Sequence, residues 1–160
     1  MRAALDQRRG ERHISYLAVL SIGAVKIALP QNEIHTLEPV LDLRRSDSGP
    51  TVGSVEVDQE SWPIFALSED LLPLDDLPGT RRVCVLLGEG QEAFGIACDK
   101  VTSVPTEQVH SVPAPEVVMR HDSPVLSLAI HGEEILCLST TQALVRLLRS
   151  RGCFGHANAV

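Results

Sequence analysis

The chain has 160 residues, 44% apolar and 22% charged, with a formal net charge of −7, the balance of a folded globular chain long enough for one domain or two small ones. From Ile14 to Val145 seven Lys or Arg face nineteen Asp or Glu, a net of −12 that repels phosphate backbones and argues against nucleic-acid binding. Aromatic residues make up 3%, so Val, Ile, Leu and Ala must fill the core, and no apolar run approaches the ~20 residues of a membrane-spanning helix.

Residues 1–13 form an Arg-rich leader without an apolar stretch, expected to be flexible. Ile14–Ile22 and Val25–Leu29 read as a hairpin turning at Gly23. Pro30–Ile34 suits a single helical turn, Leu37–Leu43 is apolar-rich, and Arg44–Pro50 reads as a polar loop. Val52–Val57 alternates apolar and polar, and Trp62–Leu67 follows a charged turn. Ser68 followed by Glu69 and Asp70 predicts a short helix, since its hydroxyl can accept an orphan backbone N–H and the acids suit the positive end.

Pro73–Gly79, with two prolines and a glycine, is the expected connection between halves. Strands are then expected at Arg82–Gly88, Glu92–Cys98, Val125–Ile130 and Glu134–Leu138, and an amphipathic helix at 140–148 capped by Ser139 or Thr140. The order of elements repeats. Ile27-Ala28 matches Ile96-Ala97, Val55-x-Val57 matches Leu128-x-Ile130, and Leu67-Ser68 matches Leu138-Ser139, at offsets of 69, 73 and 71. A tandem duplication into two similar barrels follows, the first at about 14–72, the second at about 81–139, with residues 149–160 a flexible tail.

No catalytic motif appears: there is no G-x-S-x-G, H-E-x-x-H, Walker loop or G-x-G-x-x-G. Cys84, Cys98, Cys137 and Cys153 are scattered singly without C-x-x-C spacing, as expected of reduced thiols in a cytosol. The six histidines never pair at i, i+4, and Cys153-x-x-His156 offers two metal ligands where a site needs more. The expectation is no catalysis, no metal and no cofactor, in a cytoplasmic location with no direct membrane insertion.

Three segments carry a family resemblance. Ala28-Leu-Pro-Gln-Asn-Glu-Ile-His-Thr-Leu37 resembles A-L-P-x-x-x-V-x-x-V, and Gly53 to Leu67 resembles G-x-x-N-L-R-G-x-x-x-P-V-x-D-L. Gly95-Ile-Ala-Cys-Asp-Lys-Val101 resembles G-[IL]-x-V-D-x-V. Together, from Ile14 to Leu148, they resemble the bacterial chemotaxis coupling-protein (CheW-like) domain. The frame residues Gly53, Pro63, Leu67, Gly95, Ile96, Asp99 and Val101 agree, while Asp58 and Gln59 stand at the Arg-Gly positions, Glu56 at the Asn and Ala66 at the Asp.

The resemblance implies a mainly-β fold of two tandem five-stranded SH3-like barrels with short helices. It also implies a non-catalytic adaptor coupling chemoreceptors to a histidine kinase in a chemotaxis-like or pilus-type array. In that family one barrel contacts the kinase regulatory domain and the groove region contacts the chemoreceptor cytoplasmic tip. Ile34, Thr36, Gly53, Asp58, Gln59 and Gly95 fall at partner-contact positions. Two alternatives stay open: a degenerate module with a regulatory or structural role and no kinase, and a small Cys- or His-dependent enzyme.

Overall fold

The computed structural model describes residues 15–46, 49–113 and 122–154. The expected leader at 1–13 therefore lies outside the described residues. β1 (Tyr16–Ile22) and β2 (Val25–Pro30) form the expected hairpin around Gly23 at φ +60, a left-handed conformation that needs no Cβ to be accommodated. A 3-10 turn, Gln31–Glu33, leads into β3 (Ile34–Pro39), and a second, Val40–Asp42, into β4 (Arg44–Arg45). The segment expected as a loop from Arg44 thus starts as a strand, because Arg44 and Arg45 pair with Ser54 and Gly53 of β5 (Gly53–Val57).

β6 (Glu60–Leu67) completes the second hairpin. The short helix expected at Ser68 does not form. Ser68 Oγ instead accepts from the backbone N–H groups of Asp70 and Leu72 at 3.2 and 3.3 Å, and Leu71 takes φ +59. Pro73 disfavours helical geometry at the residue before it, so the hydroxyl closes a turn and the chain returns along β6 as β7 (Pro73–Leu74).

The second half contains β8 (Val83–Leu87), β9 (Phe94–Cys98), β10 (Lys100–Pro105), β11 (His110–Val112), β12 (Ser127–His131) and β13 (Glu134–Leu138). The helix follows as α1 (Thr141–Ser150), with Thr140 Oγ1 accepting from Ala143 N at 3.1 Å. Of the tail expected from residue 149, the first two residues continue α1 and residues 155–160 lie outside the described residues. Phe154 packs edge-on to Phe65 and Phe94, with centroids 5.5 and 5.7 Å apart.

The class is mainly β with one α-helix among the described residues. The boundaries at 14–72 and 81–139, however, do not follow the sheets. One sheet runs β10-β1-β2-β13-β12-β11, and the other runs β3-β8-β9-β6-β5-β4 with β7 beside β6. The first half therefore contributes only its leading hairpin to the first sheet, and the second half only its leading hairpin to the other. The two orders are the same once β1–β6 are matched to β8–β13, and each contains one parallel contact, β2 with β13 and β9 with β6. The duplication is thus expressed as a reciprocal exchange of hairpins.

The hairpin turns set the repeat offset at 74, since Val57↔Glu60 corresponds to His131↔Glu134. The sequence match of Val55 to Leu128 is therefore one residue out, and one residue reverses a strand's faces. Val55 and Ala129 are the inward equivalents.

Three apolar clusters hold this arrangement together. Val52, Val55, Trp62, Ile64, Ala66, Cys84, Leu86 and Ala97 fill the curl of the second sheet. Val19, Ala28, Val104, Ala129 and Leu136 fill the first. The main cluster lies between the sheets and under α1, and it holds nine of the twelve largest fully buried side chains, among them Phe65, Phe94, Leu20 and Ile27. At about 1.5–3 kcal/mol for each large side chain, this shared layer outweighs either interior and binds the sheets into one unit.

Candidate functional site

Asp58 and Gln59 form the two-residue loop of the β5–β6 hairpin, with φ of 52 and 69, and both are exposed. A loop with both central residues left-handed matches the twist of the flanking strands. Aspartate tolerates that region, whereas glutamine is strained there. Glu56 and Glu60 are exposed beside the turn, so the tip displays three carboxylates.

Gly53 and Gly95 are buried. A Cβ on Gly53 would sit 2.4 Å from Arg44 O, and one on Gly95 2.5 Å from Ile64 Cδ1 and 2.7 Å from Leu86 Cδ2. Both are close-approach positions that let strands and side chains meet. Ile34 and Thr36 lie on β3, where the pairing with β8 slips between them, and His35 stacks on Trp62 at 5.0 Å. Three strands, β8, β9 and β6, separate β3 from β5 along the sheet. The six residues named from the family resemblance thus come from three strands and one hairpin loop, in a sheet whose curl brings His35 of β3 onto Trp62 of β6.

Two exposed apolar surfaces stand out instead. β3 and β10 end their respective sheets, and between them lies a groove of about 380 Å³ whose walls include Ala18, Ile34, Leu37, Val101 and Thr102. Leu37 is 45% exposed. Ile34 is thus the one named residue that lines this groove. The hairpin exchange brings the two edges together, which no local pattern reveals.

The other surface is the outer face of β11–β13. Ala129 and Leu136 point inward, so alternation sends Leu128, Ile130, Ile135 and Cys137 outward. These pair as Leu128↔Cys137 and Ile130↔Ile135, with Val112 opposite Leu128. Ile135 is 63% exposed and Ile130 41%. A contiguous aliphatic face of this kind marks a contact surface rather than scattered exposure.

The cysteines are poorly suited to nucleophilic work. Burial, with help from Glu38 and Asp42, pushes Cys84 up to about 11, and burial pushes Cys98 up to about 12. Burial raises Cys137 and Cys153 as well. Thiolate, the reactive form, is suppressed at each. Among the described residues no group of three or more His, Cys, Asp or Glu is placed to hold a metal, and no helix is long and apolar enough to cross a membrane. His156, the second residue of the Cys153-x-x-His156 pair, lies outside the described residues.

No protein-family model matches the chain, and no curated protein matches it by sequence. Its fold is similar to the crystal structure of the scaffolding protein TtCheW from Thermoanaerobacter tengcongensis. The TM-score is 0.61 at 14% identity, over 79% of this chain and 88% of that one.

Proposed function

We propose that the chain is a non-catalytic adaptor that joins two protein partners, of the chemotaxis coupling type. The observation that carries this reading is the presence of two separate exposed apolar surfaces, the β3–β10 groove and the outer face of β12–β13. An adaptor needs two sites that can be filled at once, and these two lie on different parts of the sheets. The fold shared with a scaffolding protein and the suppressed thiols support the same conclusion. On this reading the groove takes the cytoplasmic tip of a chemoreceptor and the barrel surface takes the regulatory domain of a histidine kinase, in the cytoplasm of a bacterium.

The acidic tip at Asp58 favours a partner with basic groups over the acidic complement that an Arg would select, because like charges across an interface cost several kcal/mol. The test mixes the purified chain with a receptor tip and a kinase regulatory domain from the same genome. A ternary complex is expected, with Leu37→Asp removing one partner, Ile135→Asp removing the other, and Asp58→Arg weakening capture most at low salt. Capture of neither partner by the wild type overturns the coupling assignment and leaves a structural module without a kinase.

A further inference from the structure

The repeat places β4–β6 in correspondence with β11–β13, yet the corresponding outer faces have opposite character. Where β11–β13 presents Val112, Leu128, Ile130, Ile135 and Cys137 with His110 at its edge, the face of β4–β6 carries Arg44, Ser54 and Pro63 at one end and Ser61 opposite Glu56 at the end nearer the β5–β6 turn. We propose that this face docks an acidic, extended segment of a partner protein. The site lies apart from both apolar surfaces, and Gly53 is the one of the six residues named from the family resemblance that lines it.

A shallow concavity of about 290 Å³ opens at the Arg44 end of this face, with Arg44, Arg45, Thr51, Gly53, Ser54 and Ser61 in its wall and, among the described residues, no acidic one lining it. Its side chains offer guanidinium and hydroxyl donors, the chemistry that grips a carboxylate. Both arginines are exposed, and neither is in an ion pair among the described residues. β4 ends its sheet, so among the described residues its outer backbone edge is unpaired and open to an added strand. Leu41, in the 3-10 turn three residues before Arg44, is 95% exposed and offers an apolar anchor to a segment that extends beyond the concavity.

Arginines on an edge also discourage stray strand pairing. That role needs charge alone and calls for neither a donor-lined concavity nor an exposed leucine. The occupant is a short acidic peptide rather than a nucleic acid, because the net of −12 from Ile14 to Val145 repels a dense polyanion. A peptide brings few charges and can add an apolar side chain for Leu41.

The probe is a synthetic peptide of about ten residues alternating Glu with Val and Leu, titrated into the full chain by calorimetry at low and high salt. Binding at low salt is expected, weakened about tenfold by the double variant Arg44→Glu/Arg45→Glu with a flatter salt dependence, and about threefold by Leu41→Ser at both salts. Unchanged Trp62 emission confirms that each variant is folded. Equal affinity for wild type and the double variant overturns the site. So does equal competition by inorganic phosphate, which would reduce it to a general anion patch.

Discussion

Asp99 has both carboxylate oxygens engaged: Oδ1 accepts from Arg81 Nη1 at 2.8 Å and Thr80 Oγ1 at 3.0 Å, and Oδ2 from Gly23 N at 3.0 Å. Arg81 is 5% exposed and also donates from Nη2 to Leu67 O at 2.8 Å. The group of contacts ties the β1–β2 turn to the end of β6 and the start of β8. Burial pushes the Asp99 carboxyl up, but the bonds from Arg81, Gly23 and Thr80 and the Arg81 charge outweigh it and hold the carboxyl below the usual range. A depressed folded value gives stability that is fully present above the unfolded value of about 3.9 and is lost as pH falls through the folded one. Asp99→Asn strands the buried guanidinium and is expected to cost about 3 kcal/mol at neutral pH. Urea midpoints followed downward from pH 7 should show the gap to wild type narrowing only below about pH 4, and a gap that stays constant with pH would show that the charge is not what holds this junction. At Gln59 the strain lies in the backbone: φ is 69, so Gln59→Gly is expected to raise stability by about 1 kcal/mol in thermal unfolding. No gain would mean that the turn relaxes without help.

The elements that the sequence made legible are those whose burial sets a simple pattern. β8 and β9 are covered on both faces, Val85 and Ile96 by the inter-sheet layer and Cys84 and Ala97 by the sheet interior. They read as unbroken apolar runs for that reason. α1 announced itself through Thr140 and the spacing of Leu144, Leu147 and Leu148. β4, β10 and β11 went unseen because they are edge strands with largely exposed residues, and an edge strand that covers little core needs no apolar pattern. Ser68 shows the converse: its capping signal was real, but Pro73 left it no helix to cap. The candidate site divides in the same way. The charged turn before Trp62 was legible from local pattern, and Asp58 lies exposed in it, whereas the β3–β10 groove joins strands from opposite halves and has no local signature.

At the scale of the molecule, the exchange of hairpins decides how the chain can be divided. Two tandem barrels would let each half fold alone, with a cut at Pro73–Gly79 sparing every strand pairing. In the observed arrangement such a cut separates β1 from β10, β2 from β13, β3 from β8 and β6 from β9. It also divides the central cluster, leaving Leu20, Ile27 and Phe65 on one fragment and Phe94, Ile96 and Leu144 on the other. Each fragment would then expose large aliphatic and aromatic groups worth about 1.5–3 kcal/mol apiece, more than a domain's net stability of about 5–15 kcal/mol can absorb. Residues 1–79 and 80–160 are therefore expected to lack a cooperative unfolding transition when expressed separately. Mixed in equal amounts, they should recover β-sheet circular dichroism together with the emission of the buried Trp62, whose intact second sheet needs strands from both pieces. A sigmoidal thermal transition in residues 1–79 alone would show that the first half holds a self-sufficient barrel and that the exchange is not what stabilises the fold.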